Sequence, residues 1–154
     1  MTDHYIIDMF SQSVKHAIQA MIYLTLHRDK KVMVNKIAKD YDIPRFYLAK
    51  IVQTLVKHGL ITSTRGRNGG IKLNRPAKDI RIIDIIKIID PPPEKEMCLF
   101  GLDVCSDSVP CPVHDVWKTM KENFNKNLIN QNLEALAKKV NLKHEILQST
   151  PHTK

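Results

Sequence analysis

The sequence predicts a mainly helical α+β fold, in which helices carry one small β-hairpin and a long helix lies near the C-terminus. Three observations predict it. Apolar residues recur at three- and four-residue spacing in several separate stretches, which is the helical period. Two short β-type runs, 60–64 and 71–73, flank the turn Arg65-Gly66-Arg67-Asn68-Gly69-Gly70. Asp90-Pro91-Pro92-Pro93 then closes the first part of the chain, because a residue before proline is driven out of the helical region.

The elements follow in order. Residues 1–10 are a lead-in. Ser11 or Ser13 is placed to cap a helix reaching about His27, with Val14, Ala17, Ile18, Met21, Leu24 and Thr25 on one buried stripe. Arg28-Asp29-Lys30-Lys31 makes a polar turn. Val34 to Asp40 is a short helix with Ile37 and Ala38 inward, ended by Tyr41-Asp42-Ile43-Pro44. Pro44 has no backbone N–H and suits the first turn of the next helix, where none is needed. That helix, about Arg45 to His58, shows Leu48, Ile51, Val52 and Leu55 on one face, and Gly59 follows as its C-terminal cap. Two helices joined by a tight turn make a helix-turn-helix pattern. The hairpin comes directly after it, with arginines at its tip and glycines that accept positive φ, which makes it a wing.

From Ile82 to Ile89 the apolar density fits a short buried helix, with a strand left open as the alternative. Val113 to about Asn127 is a polar-rich helix on which Val116, Met120, Phe124 and Leu128 step by four, with Trp117 beside them. Little chain remains to cover that stripe, so it requires a partner surface. Asn130 is placed to cap a short last helix holding Leu133, Leu136 and Ala137, and the tail from Asn141 is polar and loose. The resulting division is a winged helix-turn-helix domain over 1–90 and a loop over 91–112. A dimerisation helix with a short terminal helix spans 113–140, and a flexible tail spans 141–154.

Charge narrows the function. The chain of 154 residues carries a net +8. Between Arg28 and Arg81 there are 14 Lys and Arg against 4 Asp, while the rest holds 10 Lys and Arg against 12 Asp and Glu. The surplus is confined to the helix-turn-helix and wing, as expected when one face meets phosphates. Arg45, Tyr47 and Lys50 on the second helix are candidates for the major groove. Arg65, Arg67, Asn68 and Lys72 on the hairpin are candidates for phosphate or minor-groove contacts. The glycine-rich turn lacks the Gly-Lys-Ser/Thr ending of a nucleotide loop, and no catalytic carboxylate pair or nucleophile–base set stands out, so an enzyme is not expected. No apolar run approaches the roughly 18 residues of a membrane span, and the first ten residues carry acids where a signal peptide is positive. A soluble, cytoplasmic protein is expected.

All three cysteines, Cys98, Cys105 and Cys111, fall in the loop, and His114 lies three residues beyond the last. An odd, clustered set in a cytosolic chain points to metal or redox chemistry rather than to disulfides. No CxxC pair occurs, which disfavours zinc. Thiolates spaced along a loop suit an iron–sulfur cluster, with His114 as a candidate further ligand.

This order of elements resembles the Rrf2 family of bacterial winged-helix regulators, which includes IscR-type, NsrR-type and RirA-type proteins. The resemblance runs from about Phe10 to Leu136. It rests on Ile43-Pro44-Arg45-Phe46-Tyr47-Leu48, on Leu55-Val56-Lys57-His58-Gly59-Leu60, on the 65–70 turn, on Ile80 to Ile89, on the three cysteines and on Val116-Trp117. It implies a homodimer crossing through the long C-terminal helices and a two-fold site on double-stranded DNA. It also implies an iron–sulfur cluster on Cys98, Cys105 and Cys111 that reports iron–sulfur, redox or nitric oxide status. IscR-type members take their fourth ligand from the position of His114. NsrR-type members use an acid early in the first helix, where this chain has Lys15. The resemblance therefore favours a 2Fe–2S over a 4Fe–4S cluster. The chain departs from the family in three places: the first cysteine gap is one residue longer, Ala49 replaces a Glu, and Arg67-Asn68 replaces Pro-Gly in the wing. The rival reading is a cluster-free winged-helix sensor that uses its thiols or a small ligand.

Overall fold

The computed structural model describes residues 10–91, 98, 100 and 106–149, without the side chains of 129 and 143–149. Within these, α1 (Gln12–Leu26) is the central element. Ser11 caps it, its hydroxyl accepting from the Val14 N–H at 3.2 Å. The helix is buried on more than the expected stripe: every residue from Ala20 to Thr25 is enclosed. Other helices cover it from several sides, so it behaves as a core helix rather than a surface one.

The helix-turn-helix forms as its breakers dictate, with α2 (Val34–Asp40) and α3 (Arg45–Lys57) packed together. Asp42 takes the turn's left-handed conformation, φ 52°, which a short polar side chain tolerates. Tyr23 on α1 donates to Asp40 at 2.6 Å, and Lys36 holds the same carboxylate at 2.8 Å, pinning α2 to α1.

The wing is the antiparallel pair β1 (Ile61–Thr64) and β2 (Gly70–Leu73), in register Ile61 to Leu73 and Thr64 to Gly70. On its other edge β2 bonds Val32 in both directions, at 2.8 and 2.9 Å. A side chain at position 70 would bring a Cβ within 2.9 Å of the Val32 carbonyl oxygen, at a backbone φ of +137°. Only glycine fits there. After the wing, a 3-10 turn (Ala77–Asp79) leads to α4 (Ile82–Ile89). The isoleucine run is thus a helix, not a strand. Asp84 turns back onto Arg81 at its start, and Ile82 and Ile85 face the core.

The C-terminal region departs from expectation. α5 (His114–Ile129) is followed by α6 (Leu133–Ser149), which is neither short nor ended at Asn141. Asn132, not Asn130, caps it, its side-chain oxygen accepting from the Ala135 N–H at 2.8 Å. Leu133 and Ala137 lie in the same hydrophobic core as α1, α3 and the wing strands. Ile82 donates to the Gln131 carbonyl and Leu133 to the Ile80 carbonyl, stitching the α5–α6 turn to the head of α4. The core under the helix-turn-helix and wing therefore does not end at residue 90: Leu133 and Ala137 of α6 are part of it.

Candidate nucleic-acid interface and cysteine site

α3 buries Leu48, Ile51, Val52 and Leu55. The helical period then forces the opposite stripe outward: Phe46, Lys50, Gln53 and Lys57 are all exposed. Arg45 is exposed beside them, and no residue of α3 is acidic. The hairpin residues Arg65, Arg67, Asn68 and Lys72 also stand in solvent, on a wing whose β1 packs against α3. Tyr47 is different. Its hydroxyl lies 2.5 Å from that of Ser13, and its ring meets His16 edge-on at 5.6 Å. It braces α3 to α1 while remaining exposed on the outward side of the helix. Phe46, Gln53 and Lys57 were missed by the sequence reading, although they are the complement of the buried stripe and were legible as such.

At the second site, Cys98 and Cys111 are free, half-buried thiols; Cys105 lies outside the described residues. His114 opens α5, 5% exposed, and its backbone N–H donates to the Cys111 carbonyl at 3.0 Å. Its ring Nε2 lies 2.8 Å from Asp107 Oδ1, while Lys118 Nζ holds both Asp107 oxygens at 2.9 and 3.0 Å. The hydrogen bond from His114, aided by Lys118, holds the Asp107 carboxyl below the usual carboxylate range. This clamp ties the 106–110 turn to α5. Nothing in the local sequence marks Asp107, because its partners lie seven and eleven residues away.

Among the described residues no three ligating side chains converge on one point. The donor chemistry nevertheless fits an iron–sulfur group: Cys98 and Cys111 are free thiols, and the buried imidazole of His114 follows Cys111 in the same turn. One turn along α5, the indole Nε1–H of Trp117 is buried with no acceptor among the described residues. A buried donor left unpaired is uncommon, and sulfur is an acceptor it could use.

The expected dimer stripe divides in two. Val116, 72% exposed, lines an open groove on α5 with Met120 and Phe124, the last partly covered by the Phe10 ring at 5.6 Å. Leu128 instead packs against the chain's own core, drawn inward where α5 turns into α6. Trp117 lies on a neighbouring flank, its ring 5.8 Å from the Lys121 ammonium. No described helix is long and apolar enough to cross a membrane.

Comparison with known proteins agrees with this architecture. The family described as iron-dependent transcriptional regulator, Rrf2, matches residues 10–139. A protein of Aquifex aeolicus assigned as an HTH-type transcriptional regulator is 39% identical over 118 residues, covering 75% of this chain and 82% of its own. The solved structure of T. potens IscR superposes with a TM-score of 0.66 at 26% identity, covering 84% of this chain and 86% of that one. Staphylococcus aureus CymR gives 0.65 at 27% identity, over 82% and 96%. With helix-turn-helix, wing and C-terminal helices all in place, this chain belongs to the Rrf2 family: it is a winged-helix transcriptional regulator and not an enzyme.

Proposed function

We propose that this regulator acts in the cytoplasm as a homodimer on two-fold sites in double-stranded DNA. In this reading an iron–sulfur cluster held by Cys98, Cys105, Cys111 and His114 sets its DNA affinity, with 2Fe–2S favoured over 4Fe–4S. The carrying observation is at the head of α5. The Cys111 carbonyl and the His114 N–H close one turn, so a thiol and a buried imidazole share a short segment, clamped to α5 by Asp107 and Lys118. When bound, the cluster supplies a redox- and iron-responsive centre. The chain's own residues do the rest. Arg45 and Lys50 approach base edges, and Arg65, Arg67, Asn68 and Lys72 approach the backbone. Tyr47 is carried over from the DNA-contact set as the brace to α1. Val116, Met120 and Phe124 meet the second copy, with Trp117 at the border of that surface. A shift of the cysteine turn moves α5 through the clamp. It then passes through the stitched α5–α6 turn to α4 and α1, and so to the geometry of the paired recognition helices.

The test is anaerobic purification followed by iron and sulfide assay and visible spectroscopy. Coloured wild type and colourless Cys105→Ala are expected, with DNA affinity differing between cluster-loaded and cluster-free protein. Wild type without iron or sulfide that binds its site at full strength refutes the reading. A second reading has its own support: Cys98 and Cys111 are free thiols and the His114 ring is already engaged by Asp107, which suits a cluster-free thiol or small-ligand sensor. Thiol titration beside metal analysis separates the two.

A further inference from the structure

Phe46 is the most conspicuous side chain on the outward face of α3. It is 82% exposed in the first turn, where a helix-turn-helix recognition helix meets base edges. In the free chain the ring has one marked neighbour, the Arg45 guanidinium carbon 6.0 Å from its centroid. Below it on the same stripe come Lys50, Gln53 and Lys57, so an apolar spot is set within a basic face. A partner complementary to that face is polyanionic and offers one apolar group at the matching place. In the major groove the exposed apolar group on a base edge is the 5-methyl of thymine. Ala49, three residues on, is small and half-buried, so it leaves space beside the ring.

Resting on the DNA-binding reading above, we propose that Phe46 is a specificity-determining residue that reads thymine through its 5-methyl group, one thymine per half-site. The ring packs on the methyl while Lys50 and Gln53 take the polar edges of the neighbouring bases. Arg45, lying over the ring, reaches the adjoining phosphate. No hydrogen bond is involved in the methyl contact, so the discrimination is between thymine and any base lacking that methyl, uracil included.

The experiment uses the full chain and a duplex selected with it from a random library. Each thymine of the best duplex is replaced singly by deoxyuridine, and affinity is measured at fixed salt. At one thymine per half-site the replacement is expected to weaken binding about fourfold, and roughly fifteenfold when both half-sites are changed, the worth of one buried methyl each. In Phe46→Ala the thymine duplex loses a similar factor and the thymine–uracil difference disappears; Phe46→Leu keeps part of it. Unchanged thermal melting of Phe46→Ala shows that the loss is one of recognition. Either of these results overturns the inference: every uracil duplex binding as tightly as its parent, or Phe46→Ala discriminating as well as wild type. So does a ring that proves to dock a protein, with DNA affinity untouched by Phe46→Ala. A library that yields no enriched duplex refutes the DNA-binding reading itself, a failure distinct from the others.

Discussion

Leu133→Ala tests whether α6 is part of the DNA-binding module. Leu133 is fully buried in the first turn of α6, and its N–H donates to the Ile80 carbonyl at 2.8 Å. It shares one core with Ala17, Leu48, Leu55, Ile71 and Ile85, which belong to α1, α3, β2 and α4. Truncation to alanine removes about three carbon groups from that core, worth roughly 2.4 kcal/mol by transfer alone. A rigid site adds a cavity contribution, bringing the expected loss to about 3–5 kcal/mol. At this chain length a loss near 3 kcal/mol lowers Tm by roughly 6–12 °C. The assay is urea unfolding followed by far-ultraviolet circular dichroism at one protein concentration, since the stability of the proposed dimer depends on concentration. Leu142→Ala, at an exposed position of the same helix, serves as the control and should stay within about 0.5 kcal/mol of wild type. A Leu133→Ala protein less than about 1 kcal/mol weaker than wild type would show that the module closes without α6.

Two further outcomes follow from local geometry. Gly70→Ala places a methyl 2.9 Å from the Val32 carbonyl oxygen at φ +137°, so it should cost about 1–3 kcal/mol in urea unfolding. Gly66→Ala, with open space around its added carbon, should cost less; equal losses would remove the steric explanation. Asp84 accepts from Arg81 Nη2 at 2.7 Å and Nε at 3.0 Å, and these hydrogen bonds hold its carboxyl below the usual carboxylate range. A depressed folded-state value means stability that is present above the unfolded value, near 3.9, and is lost as pH falls through the lower folded value. Asp84→Asn should therefore be less stable than wild type at pH 7 and converge with it in acid. A gap that stays constant to about pH 2 contradicts this.

How much of the site was legible depended on how local its cause was. The cap at Ser11, the turn at Asp42, the exposed arginines of the wing and the free thiols at 98 and 111 all follow from residue type and near neighbours. The run Ile82–Ile89 was legible as a short buried helix but not to the exclusion of a strand, because a nearly continuous apolar segment fits either period; the Arg81–Asp84 contact starts the helix. α6 was read as short because lysines and Asn141 interrupt its apolar stripe; Leu136 and Val140 pack on the core up to that point, and the helix runs on to Ser149.

By itself, the sequence determined the order of helices and hairpin, the basic face and the set of sulfur and nitrogen donors, since periodicity, charge and residue chemistry are properties of neighbouring positions. Tertiary structure alone decided three matters. It braced Tyr47 against Ser13, packed Leu128 against the core and buried Leu133 within it, and brought Asp107 and Lys118 to His114. The physical reason is the same in each case: burial and pairing depend on which distant surface a side chain meets, and no local period carries that information.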